Sequence, residues 1–221
     1  DGLMAAGVNV LVTANNHSVD RGGDGIRRTI DVLAAKNLLF TGTFLDSTDR
    51  SIRNPIVLNK NGVKLALLNY TYGTNGIPVP SPYLVNMIDT VSMANDIARA
   101  QALGVDDIVV FIHWGNEYER LPNMQQKRLT GWLHGKGVRI IIGSHPHVVQ
   151  PAEFNRFEND FRLVVYSLGN FVSNQRRRYC DGGVVVLVDL MKQNGKLEVS
   201  GVGYIPVWVD TYFSSGKRKY K

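Results

Sequence analysis

Three runs of apolar, largely β-branched residues in this chain each lead to histidine. Val8-Asn9-Val10-Leu11-Val12 runs on to Asn15-Asn16-His17, and Ile108-Val109-Val110-Phe111-Ile112 ends at His113. Residues 138–143, interrupted only by Arg139, open into Ser144-His145-Pro146-His147. Runs of this length and composition read as buried strands. Where such strands alternate with helical patterns the chain is confined to a layered α/β arrangement. Loops at the carboxyl ends of its strands then converge, and ligands collect there. The chain has five histidines, and those at 17, 113, 145 and 147 all lie just past these strands. If the third strand continues through the motif, His145 and His147 face the same side, with Pro146 fixing the backbone between them. Both rings are then expected to converge on one point.

The remaining pattern fills in the layers. Gly22-Gly23-Asp24-Gly25 opens a helix with Ile26, Ile30, Leu33 and Ala34 on one face, and Asn37 is a suitable stop. Strands are expected over 38–40, 55–58 and 63–70, with Asn61-Gly62 as a hairpin turn between the last two. Residues 71–83, rich in Gly and Pro, read as a loop. A helix over 88–103 would turn Val91, Ala94, Ile97 and Ala98 inward and end at Gly104. Another over 122–136 would bury Leu129, Trp132 and Leu133 and stop at Gly137. Residues 161–167, 183–190 and 197–209 alternate as β-hairpins, with Asn194-Gly195 as a turn. Residues 217–221 are expected to fray. With no internal repeat and no clear linker, residues 1–210 are expected to form one domain and 211–221 a basic tail. Residues 1–7 resemble the last turns of a helix. A natural start and the loss of an N-terminal portion are both open, and the second is the expectation.

Composition narrows the function classes. The 221 residues, 44% hydrophobic and 20% charged, are ordinary for a globular protein. A net charge of +6 favours anionic partners. Nothing resembles a nucleic-acid module, and basic charge alone does not make one. Ser144 and Ser167 lack the Gly-x-Ser-x-Gly elbow of a serine hydrolase. Cys180, the single cysteine, excludes an intramolecular disulfide. No leader pattern and no run of about 18 apolar residues is present.

The histidine-bearing segments resemble the last three motifs of the calcineurin-like metallophosphoesterases, which read Gly-Asn-His, His and Gly-His-x-His. The likeness is closer to the CapA family, associated with capsule and poly-γ-glutamate synthesis. It is carried by Ala14-Asn15-Asn16-His17-Ser18-Val19-Asp20, His113-Trp114-Gly115-Asn116-Glu117, Ser144-His145-Pro146-His147-Val148-Val149-Gln150 and Tyr166-Ser167-Leu168-Gly169-Asn170-Phe171. The resemblance implies a metallophosphatase-like α/β sandwich with mixed sheets, here expected to lack its N-terminal βαβ portion. It implies a divalent cofactor, one or two ions of Mn, Zn or Fe. Asn16, His113 and His145 would be ligands of one ion, and His147 of another. His17 would be the acid that protonates the leaving group, with Asp20 as its orienting partner; a helix N-terminal carboxylate is the equal alternative for Asp20. The family's first two motifs supply aspartates, and neither occurs ahead of Asn16, so the second ion keeps only His147.

Four further residues are candidates for substrate contact. Glu117 and Trp114 follow His113 on one loop; Glu117 could accept a proton from a ligating histidine or bind a substrate amine. Asn170 could line the same rim or simply serve a turn. Arg177, within Arg176-Arg177-Arg178, could hold carboxylates of an acidic polymer, although a solvated loop is the commoner role of such a run. The resemblance thus implies a metal-dependent hydrolase acting on an anionic cell-surface polymer such as poly-γ-glutamate, or on its γ-glutamyl amides. The alternative is a non-catalytic polymer-binding or capsule-assembly factor on the same fold. Membrane-bound capsule-synthesis partners and an extracytoplasmic, surface or membrane-anchored location in the parent protein follow from the same likeness.

Overall fold

The computed structural model describes residues 2–158 and 160–220, so Asp1, Asn159 and Lys221 lie outside the described residues. The chain divides into two compact units, Asp1–His113 with Gly135–Val138, and Trp114–His134 with Arg139–Lys221.

The first unit begins with α1 (Gly2–Ala5), β1 (Val10–Val12), α2 (Gly22–Ala35), β2 (Leu39–Thr41) and β3 (Thr43–Phe44). It continues through α3 (Ser47–Arg53), β4 (Ile56–Lys60), β5 (Val63–Thr71), β6 (Leu84–Val85), α4 (Thr90–Ala102) and β7 (Asp107–His113). β1 and β2 pair in parallel, and β3 pairs antiparallel with β6. β5 is antiparallel to β4 and parallel to β7, in a register that sets Thr71 opposite His113. Ile26 and Ile30 of α2 pack with Val19 and Phe40, and Leu33 joins them from the same face. Ala34, expected on that face, is exposed. Asn37 and Gly104 follow their helices with φ of 54° and 62°, the left-handed termination that these residue types favour.

The buried stripe of α4 differs from the apolar pattern. Met93, Asp96, Ile97 and Ala100 face inward, whereas Val91 is 69% exposed. The reason is electrostatic. Asp96 Oδ2 accepts bonds from Arg50 of α3 at 2.6 Å and from the Tyr70 hydroxyl of β5 at 2.9 Å, so a carboxylate occupies a position that hydropathy assigns to solvent. Burial, and then the Asp96 charge, hold the Tyr70 phenol far above its ordinary range. Removing one member of such a pair strands a buried charge. Arg50→Ala is expected to destabilise the protein by about 3 kcal/mol, read as a lowered denaturant midpoint, while an unchanged midpoint would deny the pair that role.

The second unit holds α5 (Met124–Gly135), β8 (Ile140–Ser144), β9 (Ala152–Arg156), β10 (Phe161–Val165), β11 (Gly182–Gln193), β12 (Lys196–Trp208), β13 (Thr211–Ser214) and β14 (Lys217–Tyr220). β10 is parallel to β8 and antiparallel to β9, so parallel and antiparallel pairing are mixed, as in the expected fold class. α5 buries Leu133 as expected, but its other buried positions are Gln126 and Thr130 rather than Leu129 and Trp132. β11 and β12 form a long hairpin. Residues 217–220, expected to fray, instead pair with residues 211–214. Ser215 and Gly216, at φ 52° and 69°, supply the left-handed turn that this hairpin needs.

Candidate metal centre

In the first unit the exit of β1 is fixed by an amide from the neighbouring sheet. Asn69 of β5, 2% exposed, accepts the Ala14 N–H at 2.7 Å and donates to the Phe111 carbonyl at 3.2 Å. Gly42 allows the close approach: a Cβ there would lie 2.1 Å from Asn69 Oδ1 and 2.6 Å from Ala14 N. The next residues turn tightly, with Asn15 Oδ1 accepting the His17 N–H at 2.8 Å and Ser18 Oγ accepting the Asn15 N–H at 2.9 Å. This turn presents Asn16 and His17. The Asn16 amide donates from Nδ2 to Asn75 Oδ1 at 3.1 Å, which aims its oxygen at His113 Nε2, 2.9 Å away. The His113 ring is stacked on Tyr72, with centroids 6.3 Å apart. His17 Nδ1 lies 2.8 Å from Asp20 Oδ2, and its side chain is 60% exposed. Asp20 precedes the Arg21 N-cap of α2 and is turned to His17.

In the second unit β8 ends at Ser144, so the histidine pair lies beyond the strand. Convergence does not come from strand alternation. It comes from left-handed backbone, at φ 103° for His145 and 60° for His147. The two rings stand 6.1 Å apart. One ligand atom each from Glu117, His145 and His147 lies within 4.8 Å of the others, and Glu117 Oε1 is 3.9 Å from His147 Nε2.

The loop bearing Glu117 is tied down by two buried amides that sequence reasoning missed. Gln126 Nε2 donates to Gln150 Oε1 at 2.9 Å. Gln150 Nε2 donates to the carbonyls of Glu119 at 2.8 Å and Leu121 at 3.2 Å. The Tyr118 N–H reaches the Pro146 carbonyl at 2.7 Å, joining this loop to the histidine turn. The Glu117 carboxylate accepts from the Tyr118 hydroxyl and holds that phenol above its ordinary value. The available signal for Gln126 was its place in a helical pattern whose apolar face was otherwise thin. For Asn69 it was an amide inside a run of strand residues.

Two of the residues expected at the substrate rim serve other purposes. Trp114 is 2% exposed; its indole N–H donates to the Tyr166 carbonyl at 2.9 Å and its ring stacks on Tyr166. An apolar body with its one donor satisfied belongs in the core. Asn170 is 8% exposed and acts on His147. Its Nδ2 donates to the Cys180 carbonyl at 2.7 Å, so its Oδ1, 2.9 Å from His147 Nδ1, must accept. The proton of His147 therefore resides on Nδ1, and Nε2 carries the lone pair on the side of Glu117. Arg177 stands over the Tyr118 ring at 4.2 Å.

One carboxylate and two imidazoles, one of them held in the ligating tautomer by a neighbouring amide, suit a divalent metal ion. Glu117 stands among the side chains that could hold such an ion.

Comparisons with known proteins place the chain in a family. A profile of the family described as bacterial capsule synthesis protein PGA_cap matches residues 1–175. The capsule biosynthesis protein CapA of Bacillus anthracis is 34% identical over 181 residues, covering 78% of this chain and 42% of that protein. The PGA biosynthesis protein CapA of Bacillus subtilis (strain 168) is 32% identical over 206 residues, covering 87% of this chain and 50% of that protein. The chain thus spans about half the length of the curated relatives it matches. Among solved structures, the calcineurin-like phosphoesterase YfkN from Bacillus subtilis is similar at a TM-score of 0.55 and 18% identity, covering 93% of this chain and 65% of that one. That likeness places the fold among the calcineurin-like phosphoesterases. On the profile match and the two CapA relatives, the chain belongs to the bacterial capsule synthesis protein PGA_cap family.

Proposed function

We propose that the chain carries the hydrolytic chemistry of a capsule or poly-γ-glutamate biosynthesis protein. Its substrate is an anionic cell-surface polymer or the γ-glutamyl amides of that polymer, and its cofactor is Mn, Zn or Fe. The supporting observation is the Glu117, His145 and His147 donor set, with both histidines at positive φ. Such backbone costs about 1–3 kcal/mol per residue and persists where a surrounding structure enforces it for function. The names of the two CapA relatives point to capsule and PGA as the polymer.

Glu117, His145 and His147 would hold a divalent ion, which when bound would supply Lewis-acid activation of a water and charge neutralisation at the group under attack. The chain's own residues do the rest. Asn170 keeps the Nδ1 proton of His147 in place, and Glu117 contributes negative charge. In the first unit Asn16 Oδ1 and His113 Nε2 lie 2.9 Å apart, and both would serve as ligands of an ion there. Asp20 accepts a hydrogen bond from the Nδ1–H of His17 and would support its imidazolium form, whose Nε2 proton would pass to a departing amine or alkoxide. An extracytoplasmic location and membrane-bound synthesis partners belong to the same proposal. Among the described residues no helix is long and apolar enough to cross a membrane.

Metal content measured by mass spectrometry tests this directly. The purified protein is expected to retain about one ion or more per chain, to lose it on His145→Ala or His147→Ala, and to bind it about 10–100-fold more weakly on Asn170→Ala. Wild-type protein without metal after reconstitution, and without hydrolysis of γ-glutamyl peptides or aryl phosphates, would overturn the proposal.

A further inference from the structure

Beside the metal centre, in the same unit, three guanidinium groups rest on two tyrosine rings. Arg177 lies over Tyr118 at 4.2 Å. Tyr179 carries two, Arg120 at 4.3 Å and Arg178 at 4.7 Å. Among the described residues no hydrogen bond or ion pair joins any of these three to a carboxylate. Arg120 and Arg178 share one ring, where like charges repel and a solvated loop would let them separate. Here the rings hold them together.

The seats themselves are strained. Tyr118 and Tyr179 have φ of 69° and 71°, a conformation that bulky residues adopt at a cost. Both belong to segments already tied to the donor set. The Tyr118 ring lies against His147 at 6.2 Å, and the Cys180 carbonyl, one residue beyond Tyr179, orients Asn170.

We propose that Arg120, Arg177 and Arg178, seated on Tyr118 and Tyr179, are a platform that reads successive carboxylates of one polyanionic chain next to Glu117, His145 and His147. A guanidinium stacked by its face keeps its N–H edge free for bidentate contact with a carboxylate. Three such edges on one surface reward a ligand with repeated carboxylates, because the second and third contacts are intramolecular once the first has formed. A single glutamate gains none of that. The inference rests on the hydrolytic reading for the chemistry beside the platform, but the platform itself is a binding surface and is tested without turnover.

Binding of labelled poly-γ-glutamate, polyphosphate of similar length and neutral dextran, with free glutamate as competitor, is measured by fluorescence anisotropy on wild-type and variant proteins. Wild type is expected to prefer poly-γ-glutamate, to ignore dextran and to be displaced by glutamate only at far higher concentration, with affinity falling as salt rises. Arg120→Gln combined with Arg178→Gln is expected to weaken binding at least about tenfold at unchanged metal content and circular dichroism. Tyr179→Leu, which removes a seat but no charge, is expected to weaken it about two- to fivefold. Equal affinity of wild type and the arginine double variant, or tighter binding of polyphosphate than of poly-γ-glutamate, would overturn the platform. Loss of polymer binding in a protein that never holds metal would sustain the platform and sink the hydrolytic reading. Metal and turnover with unaltered polymer binding in the variants would do the reverse.

Discussion

Gly143→Ala is expected to lower stability by about 3 kcal/mol or more and to cost the metal centre its occupancy. A Cβ at Gly143 would stand 2.1 Å from the Tyr166 carbonyl oxygen and 2.5 Å from Trp114 Nε1. Those two atoms already bond each other at 2.9 Å, and the Gly143 carbonyl accepts the Leu168 N–H at 3.1 Å. None of the three is the loose end of a flexible side chain. The added methyl must therefore part β8 from the segment bearing Tyr166. His145 lies two residues on, and a displacement of about 1 Å at a reacting centre is worth about 100-fold. Denaturant unfolding and metal analysis of the same preparation read both effects. Gly131→Ala, in α5 with open space around it, serves as the control and should stabilise by about 0.5–1 kcal/mol. A Gly143→Ala protein with the wild-type midpoint would show that β8 is not packed as described.

His17→Ala is expected to lower turnover by about 10²–10⁴-fold on γ-glutamyl amides, and much less on aryl phosphates. The difference lies in the departing group: an amine cannot leave without a proton, whereas a nitrophenolate can. On the proposed mechanism the His17 imidazolium would offer that proton from Nε2, its Nδ1–H being held by Asp20 at 2.8 Å. Asp20→Asn removes the charge that supports the imidazolium and should give a smaller loss with the same dependence on leaving group. Equal losses on both substrate classes would assign His17 to structure rather than to proton transfer.

The parts legible in the sequence were those with a single physical cause. Buried strands announced themselves by unbroken β-branched runs, and Asn61-Gly62 and Asn194-Gly195 by the left-handed pairs they adopt, at φ 53° and 79° and at 52° and 77°. The family motifs named His145 and His147 as ligands, of separate ions, and Glu117 as a substrate contact, whereas these three side chains stand together. What failed to show had two causes acting at once. Asp96 looked like a solvent residue because its partners, Arg50 and Tyr70, are distant in sequence. β9 carries no inward alternation, every residue from Ala152 to Arg156 being exposed. Trp114 had the composition of a binding-loop aromatic, but its indole N–H found a backbone partner 52 positions away. Asn69 in the first unit and Gln150 in the second each fix a loop through backbone groups, which leave no trace in residue type.

The positive φ of His145 and His147 also sets the terms on which the protein can be hardened against heat. Glycine and asparagine occupy that region with little cost, and histidine does so only under constraint. Selection for a higher melting temperature alone would reward relieving that backbone, set against the His147–Asn170 bond at 2.9 Å and the Tyr118 ring stacked on His147. Selection for chemistry retains the imidazoles. The two pressures oppose each other at these positions, so a thermostable relative that keeps both histidines must have found its added stability elsewhere.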